Sequence, residues 1–196
     1  MRKKSHISLA KYMVEQSGTA ELWHHRKAFY LGNILPDCRP SFLTERHEFY
    51  GTFEKIGSYI RSLTEDSLFV QNTMTYWRRL GEVIHYIADY FTFPHNGAFQ
   101  GTLREHCAYE KRLRDYLREY ISSGRAARQK SEHIVFENTE ELLGYIRSSH
   151  QEYMRGRHSV EDDVRHIVGL CGQVIAGIIQ ILERSRKALD GLAFMC

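Results

Sequence analysis

Apolar residues recur at three- and four-residue intervals along most of the chain, and no segment alternates as a half-buried strand does. Ile7, Ala10, Met13 and Val14 mark a first helix from about Ser5 to Glu15, with Ser5 as a candidate N-cap. A second, short helix is expected over Thr19 to Tyr30. Leu31 to Pro40 reads as an irregular loop, because a Gly and two Pro interrupt regular structure. Helices follow at about Thr44–Leu63, Thr75–Phe91, Thr102–Ser122 and Thr139–Arg155, with Phe93–Gly97 as a loop and Ser123–Ser131 as an exposed linker. The last helix spans about Val160 to Leu189. Ser159 and Asp162 resemble a capping box there, with Glu161, Asp162 and Asp163 as favourable first-turn charges. The uncharged stretch Ile167–Leu182 contains two glutamines and is shorter than the ~20 apolar residues of a membrane span, so no transmembrane segment is expected. It reads as the central buried helix, approached closely by its neighbours at Gly169, Gly172, Ala176 and Gly177. The pattern predicts one all-α domain over residues 1–196, a multi-helix bundle.

Composition narrows this little. The hydrophobic fraction of 42% and the charged fraction of 26% are ordinary for a globular protein, and three prolines suit a helical one. A net charge of +3 is too small to argue for nucleic acid or a membrane surface, so no stable nucleic-acid complex is expected. Cys38, Cys107, Cys171 and Cys196 form no C-x-x-C unit, which excludes a zinc ribbon and a dense disulfide scaffold; buried free thiols in a reducing compartment are expected. No apolar stretch with a cleavage site follows Met1-Arg-Lys-Lys, which predicts a cytoplasmic protein, at most peripheral at a membrane surface.

Histidine is the one compositional excess, at 11 residues, and its spacing carries the chemistry. His85-x-x-x-Asp89 and His106-x-x-x-Glu110 fall on two helices with His95 in the loop between. Residues four apart share a helical face, so each pair can aim two ligand atoms at one point. Asp89 lies in the apolar run Val83-Ile-His-Tyr-Ile-Ala-Asp-Tyr90, where an unpaired carboxylate costs several kcal/mol and a bound cation removes that cost. The bland alternatives are a hydrogen-bonded His85–Asp89 core pair and a surface pair at His106 and Glu110. Imidazole with carboxylate suits zinc. His6, Asp37 in its Pro-flanked loop, and His47 join the set by position. His158, Asp162 and His166 repeat the spacing but read as a capping region, and His24, His25, His133 and His150 as surface residues.

The ordered set His6, Asp37, His47, His85-x-x-x-Asp89, His95, His106-x-x-x-Glu110 resembles the bacterial zinc-dependent phospholipase C family and, more distantly, the P1/S1 nucleases. The likeness runs from about Ser5 to Lys111. It implies the bundle of the phospholipase C/P1 nuclease type, with one zinc on His47, His85 and Asp89 and a second on His95, His106 and Glu110. A third would use His6, with Asp89 bridging. Asp37 corresponds to the acidic residue beside the attacking water, and a metal-bound hydroxide would attack phosphorus in a phospholipid or other phosphodiester. In the family the third zinc is also bound by an N-terminal Trp, and here residue 1 is Met. Tyr86, Tyr90, Phe91 and Phe93 are candidates for an apolar cleft. The alternatives are a nuclease or small-molecule phosphodiesterase, for which Arg78, Arg79 and Arg104 are available, and a non-catalytic zinc-binding protein.

Overall fold

A computed structural model describes residues 1–39, 47–65, 73–129 and 134–193, with side chains as far as residue 187. Among the described residues the regular structure consists of nine α-helices, α1 (Lys3–Gln16), α2 (Ala20–His24), α3 (Arg26–Ile34), α4 (Phe49–Glu65), α5 (Thr73–Tyr90), α6 (Leu103–Ser122), α7 (Arg125–Arg128), α8 (Thr139–Arg155) and α9 (Val160–Ala193), and two 3-10 turns, Pro36–Cys38 and Phe93–His95. No strand occurs among the described residues. The architecture is the all-α bundle the periodicity predicts. Residues 44–46, 130, 131, His133 and Cys196, which several expectations include, lie outside the described residues.

The central helix is α5, not α9. Every residue from Leu80 to Thr92 is buried, so α5 is surrounded by α3, α4 and α9. Such all-round burial requires each polar group on it to find a partner. Glu82, for example, meets Arg39 at 3.1 Å. By contrast α9 buries one stripe, Val164, Ile167, Cys171, Val174 and Ile178, at helical spacing. Its Gly172 has nothing near it, Ala176 is exposed, and both border a cavity of about 630 Å3 between α1, α7 and α9. Of the expected small-residue face, Gly177 is tightly packed against Phe136 and Leu142, and Gly169 against the Gln129 side chain. Over Val160–Lys187, α9 is long and apolar enough by composition to cross a bilayer, with half of its most apolar stretch buried inside the fold, as in a core helix.

The close approach of helices occurs elsewhere. A Cβ on Gly32 would lie 2.0 Å from the Arg78 carbonyl oxygen, and one on Gly81 would lie 2.2 Å from that of Phe29. Helices α3 and α5 therefore touch backbone to backbone, which a side chain at either position forbids. Gly32 is thus a contact point within a helix that continues to Ile34, not the helix breaker expected from its neighbours. Two further expectations fail locally. The segment 19–30 splits at His25 into α2 and the start of α3. Ser5 is not an N-cap, because α1 starts at Lys3 and carries Ser5 fully buried one turn in.

Candidate metal centre

Asp89 stands at the middle of the cluster, fully buried on α5. One turn earlier His85, also fully buried, places Nε2 3.3 Å from Asp89 Oδ2. Its other nitrogen, Nδ1, donates to the Asn33 carbonyl at 2.8 Å. That bond fixes the ring and its tautomer, leaving the Nε2 lone pair facing the cluster as a metal ligand requires. His47, two residues before α4, brings Nδ1 to 3.0 Å from Asp89 Oδ2 and 3.1 Å from His85 Nε2. Asp37, in the 3-10 turn after α3, puts Oδ1 3.6 Å from His85 Nε2 and 3.8 Å from His47 Nδ1. Four residues from three separate segments thus converge on one point.

The other side of Asp89 faces α1 and α6. His6 Nε2 lies 3.3 Å from Asp89 Oδ1, and the His6 ring stacks on His85 at 3.9 Å. His95, in the 3-10 turn after α5, sits with Nε2 3.2 Å from Glu110 Oε1 and Nδ1 3.7 Å from Asp89 Oδ2. His106, one turn before Glu110 on α6, brings Nε2 to 3.5 Å from the same oxygen. The capping box of Thr102 with Glu105 starts α6 at a fixed residue and so fixes the rotation of these ligands. Three groups have ligand atoms close enough together to share an ion: Asp37, His47 and His85; His6, His85 and Asp89; and His95, His106 and Glu110.

The donor chemistry fits zinc. Burial, then repulsion from His85, lowers His6 to a pKa of about 3, so the ring is neutral at physiological pH. Neither of its nitrogens has a hydrogen-bond partner, although the ring is fully buried. An orphaned neutral imidazole beside an anion is costly unless a cation comes between them. Burial alone would raise both carboxyls, yet Asp89 is held well below the usual range by the Met1 ammonium, His95, His6 and His85. Hydrogen bonds from His106 and His95 likewise hold Glu110 low. Both are ionised, and the imidazoles with ionised carboxylates make a nitrogen and oxygen donor set.

A model of the family described as zinc dependent phospholipase C matches residues 5–160 of the chain. The chain belongs to the zinc-dependent phospholipase C family. It is a phospholipase C-like hydrolase that uses zinc, and its family's substrate is phospholipid. No curated protein and no solved structure matches the chain.

All eight residues singled out from the sequence, His6, Asp37, His47, His85, Asp89, His95, His106 and Glu110, come together here. Several other expectations do not hold. Tyr86, Tyr90 and Phe91 are buried in the core and cannot line a cleft, whereas Phe93 is half-buried and stacks on His158 at 4.2 Å. His150 is buried, not on the surface, and lies flat on Phe49 at 4.0 Å with Nε2 3.0 Å from Asn96 Oδ1. Ser159 does cap α9 through the Asp162 amide, but Asp163 is a fully buried acceptor, not a solvated charge. Among the described cysteines, Cys38 and Cys107 are exposed free thiols and Cys171 is a buried one. The Met1 amino group also contacts Asp89 and lies 2.9 Å from His95 Nε2 and 3.4 Å from Glu110 Oε1.

Proposed function

We propose that the protein hydrolyses the phosphodiester of a phospholipid, releasing a phosphorylated head group and diacylglycerol, with His47, His85 and Asp89 holding one zinc and His95, His106 and Glu110 a second. A third ion would take His6 and Asp89. Bound zinc supplies Lewis acidity, lowering the pKa of water from ~15.7 toward ~7 and offsetting charge on phosphoryl oxygens. The observation that carries this reading is the orphaned, neutral, buried His6 packed between His85 and Asp89.

The chain's own groups account for the remaining work. His85 is oriented by the Asn33 carbonyl, so it binds without having to be reorganised. Asp37 is half-buried, with its carboxyl raised by burial, and faces the His47 and His85 nitrogens without a hydrogen bond that would saturate it. Its assigned role is to accept the proton of the attacking water, a contribution of ~10²–10⁴-fold in rate. His95, His106 and Glu110 are each only partly buried, which leaves the second group open to substrate. Catalytic sites keep such an open position, whereas structural zinc sites are closed by protein ligands.

The test is hydrolysis by zinc-loaded protein of a phosphocholine lipid and of single-stranded nucleic acid, side by side, with zinc counted by elemental analysis. Release of phosphocholine, and at least two zinc ions per chain, is the expected result. Cleavage of nucleic acid alone would overturn the phospholipid assignment, and failure to cleave either would favour a non-catalytic zinc protein.

A further inference from the structure

The turn that carries His95 has little regular structure of its own. Residues 92–96 link the buried end of α5 to an exposed stretch, with short internal bonds from the His95 amide to the Thr92 carbonyl and from the Asn96 amide to that of Phe93. What ties it to the bundle comes from the C-terminal helices. The Phe93 amide donates to Asp163 Oδ2 at 2.8 Å. The same oxygen accepts from the Tyr109 hydroxyl at 2.9 Å, and Asp163 Oδ1 accepts from the Tyr153 hydroxyl at 2.7 Å. On the far side, the Asn96 amide group donates to the Tyr90 and Thr92 carbonyls, and its Oδ1 accepts from His150 Nε2.

Tyr109 immediately precedes Glu110 and follows His106 by three residues, so its hydroxyl reports the position of the ligand-bearing turn of α6. Phe93 precedes His95 by two. A single oxygen of Asp163 therefore grips both elements that supply the second ligand group, while its other oxygen grips α8. Neutral core polar residues ordinarily satisfy such donors at less desolvation cost than a buried carboxylate. A charged acceptor forms stronger, more directional bonds, which suits an anchor that must hold two segments in register.

We propose that Asp163 is a positioning residue for the second zinc group, setting His95 against His106 and Glu110 through the Phe93 amide and the Tyr109 hydroxyl. It lies beyond the residues 5–160 matched by the family and touches no ligand side chain directly. The inference rests on the proposed zinc assignment. Groups that orient ligands commonly change metal affinity by ~10–100-fold when removed.

Competition of the zinc-loaded protein against a chelator tests it, with His106→Ala identifying which release phase belongs to the second group. Asp163→Ala should weaken that phase ~10–100-fold and leave the other unchanged. Asp163→Asn, which keeps an oxygen for the Phe93 amide, should recover most of the loss. Where Asp163→Ala does not fold by circular dichroism, Tyr109→Phe replaces it, with the same phase weakened by under ~10-fold. Unchanged release in folded variants, or equal weakening of both phases, would assign Asp163 a purely structural role and overturn the proposal. Wild-type protein that binds no zinc would overturn the metal assignment itself, and this inference with it.

Discussion

Asp89 and Asp163 are both carboxylates with no exposed surface, and their surroundings are opposite. Asp163 receives hydrogen bonds from one backbone amide and two phenols, and burial outweighs them enough to raise its pKa to about 6. Around Asp89 stand an ammonium group and four imidazoles, with His6 lacking any hydrogen bond. Its pKa moves well below the usual range despite the same burial. A buried carboxylate saturated by neutral donors holds a scaffold together. One ringed by imidazoles belongs to a set of groups that can hold a metal ion. Burial alone does not separate the two cases; the identity of the donors does.

Asp89→Asn should show the largest effect, losing at least one zinc ion by elemental analysis and more than ~10²-fold in phosphodiesterase rate. Chelation should lower the wild-type Tm more than that of the variant, since the variant has less bound metal to lose. His158→Ala should keep the full zinc content. Asp37→Asn comes next, with a loss of ~10²–10⁴-fold in turnover at unchanged zinc content. If its zinc falls as well, Asp37 is a ligand, as its distances to His47 and His85 permit.

Asp163→Ala inverts the order. In chelated protein it should cost ~2–4 kcal/mol in urea unfolding, because an amide and two buried hydroxyls lose their acceptor. With saturating zinc its metal content should equal that of wild type, which Asp89→Asn cannot match. The smallest effect concerns acid. His150 has its pKa lowered by burial to about 4, against 6.5 in an unfolded chain. Between those values the unfolded state binds the extra proton, so stability falls as pH drops from about 6.5 to about 4. His150→Gln should reduce the loss of Tm between pH 7 and pH 5 in chelated protein by a few degrees, each kcal/mol being worth ~2–4 °C in a chain of this size. An identical pH profile would show that His150 titrates normally.

The residues of the cluster were legible because their signal is local. Four-residue spacing on a helix fixes which atoms can meet, and the helical period of α5 and α6 is plain in the apolar positions. Order along the chain supplied the rest of the set. What holds these residues in place was not legible, because it is made of backbone groups and distant pairs. The Asn33 carbonyl that orients His85 lies 52 residues away and involves no side chain. Asp163 sits 70 residues from the amide it binds, in a first helical turn where solvated acids are common. His150 has no carboxylate at ligand spacing, and its burial follows from a stack on Phe49, about a hundred positions earlier. Identifying α9 as the central helix failed because its uncharged stretch resembles a core, whereas α5 hides its burial behind the Glu, His and Asp residues it needs.

The contact of Gly32 with Gly81 has a bearing on how this centre can change over generations. Asn33, which orients His85, follows one glycine, and His85 lies one turn beyond the other. Neither position can gain a side chain unless the two helices separate, and separation would carry the Asn33 carbonyl away from the ring it holds. The two sites are therefore inherited as a unit: a first substitution at either is penalised whatever residue arrives, and no second substitution at the other restores the lost contact. Divergence toward new substrates is channelled to the partly exposed His95 and His106 side. Two residues with no side chain to offer any substrate hold the inner half of the centre constant.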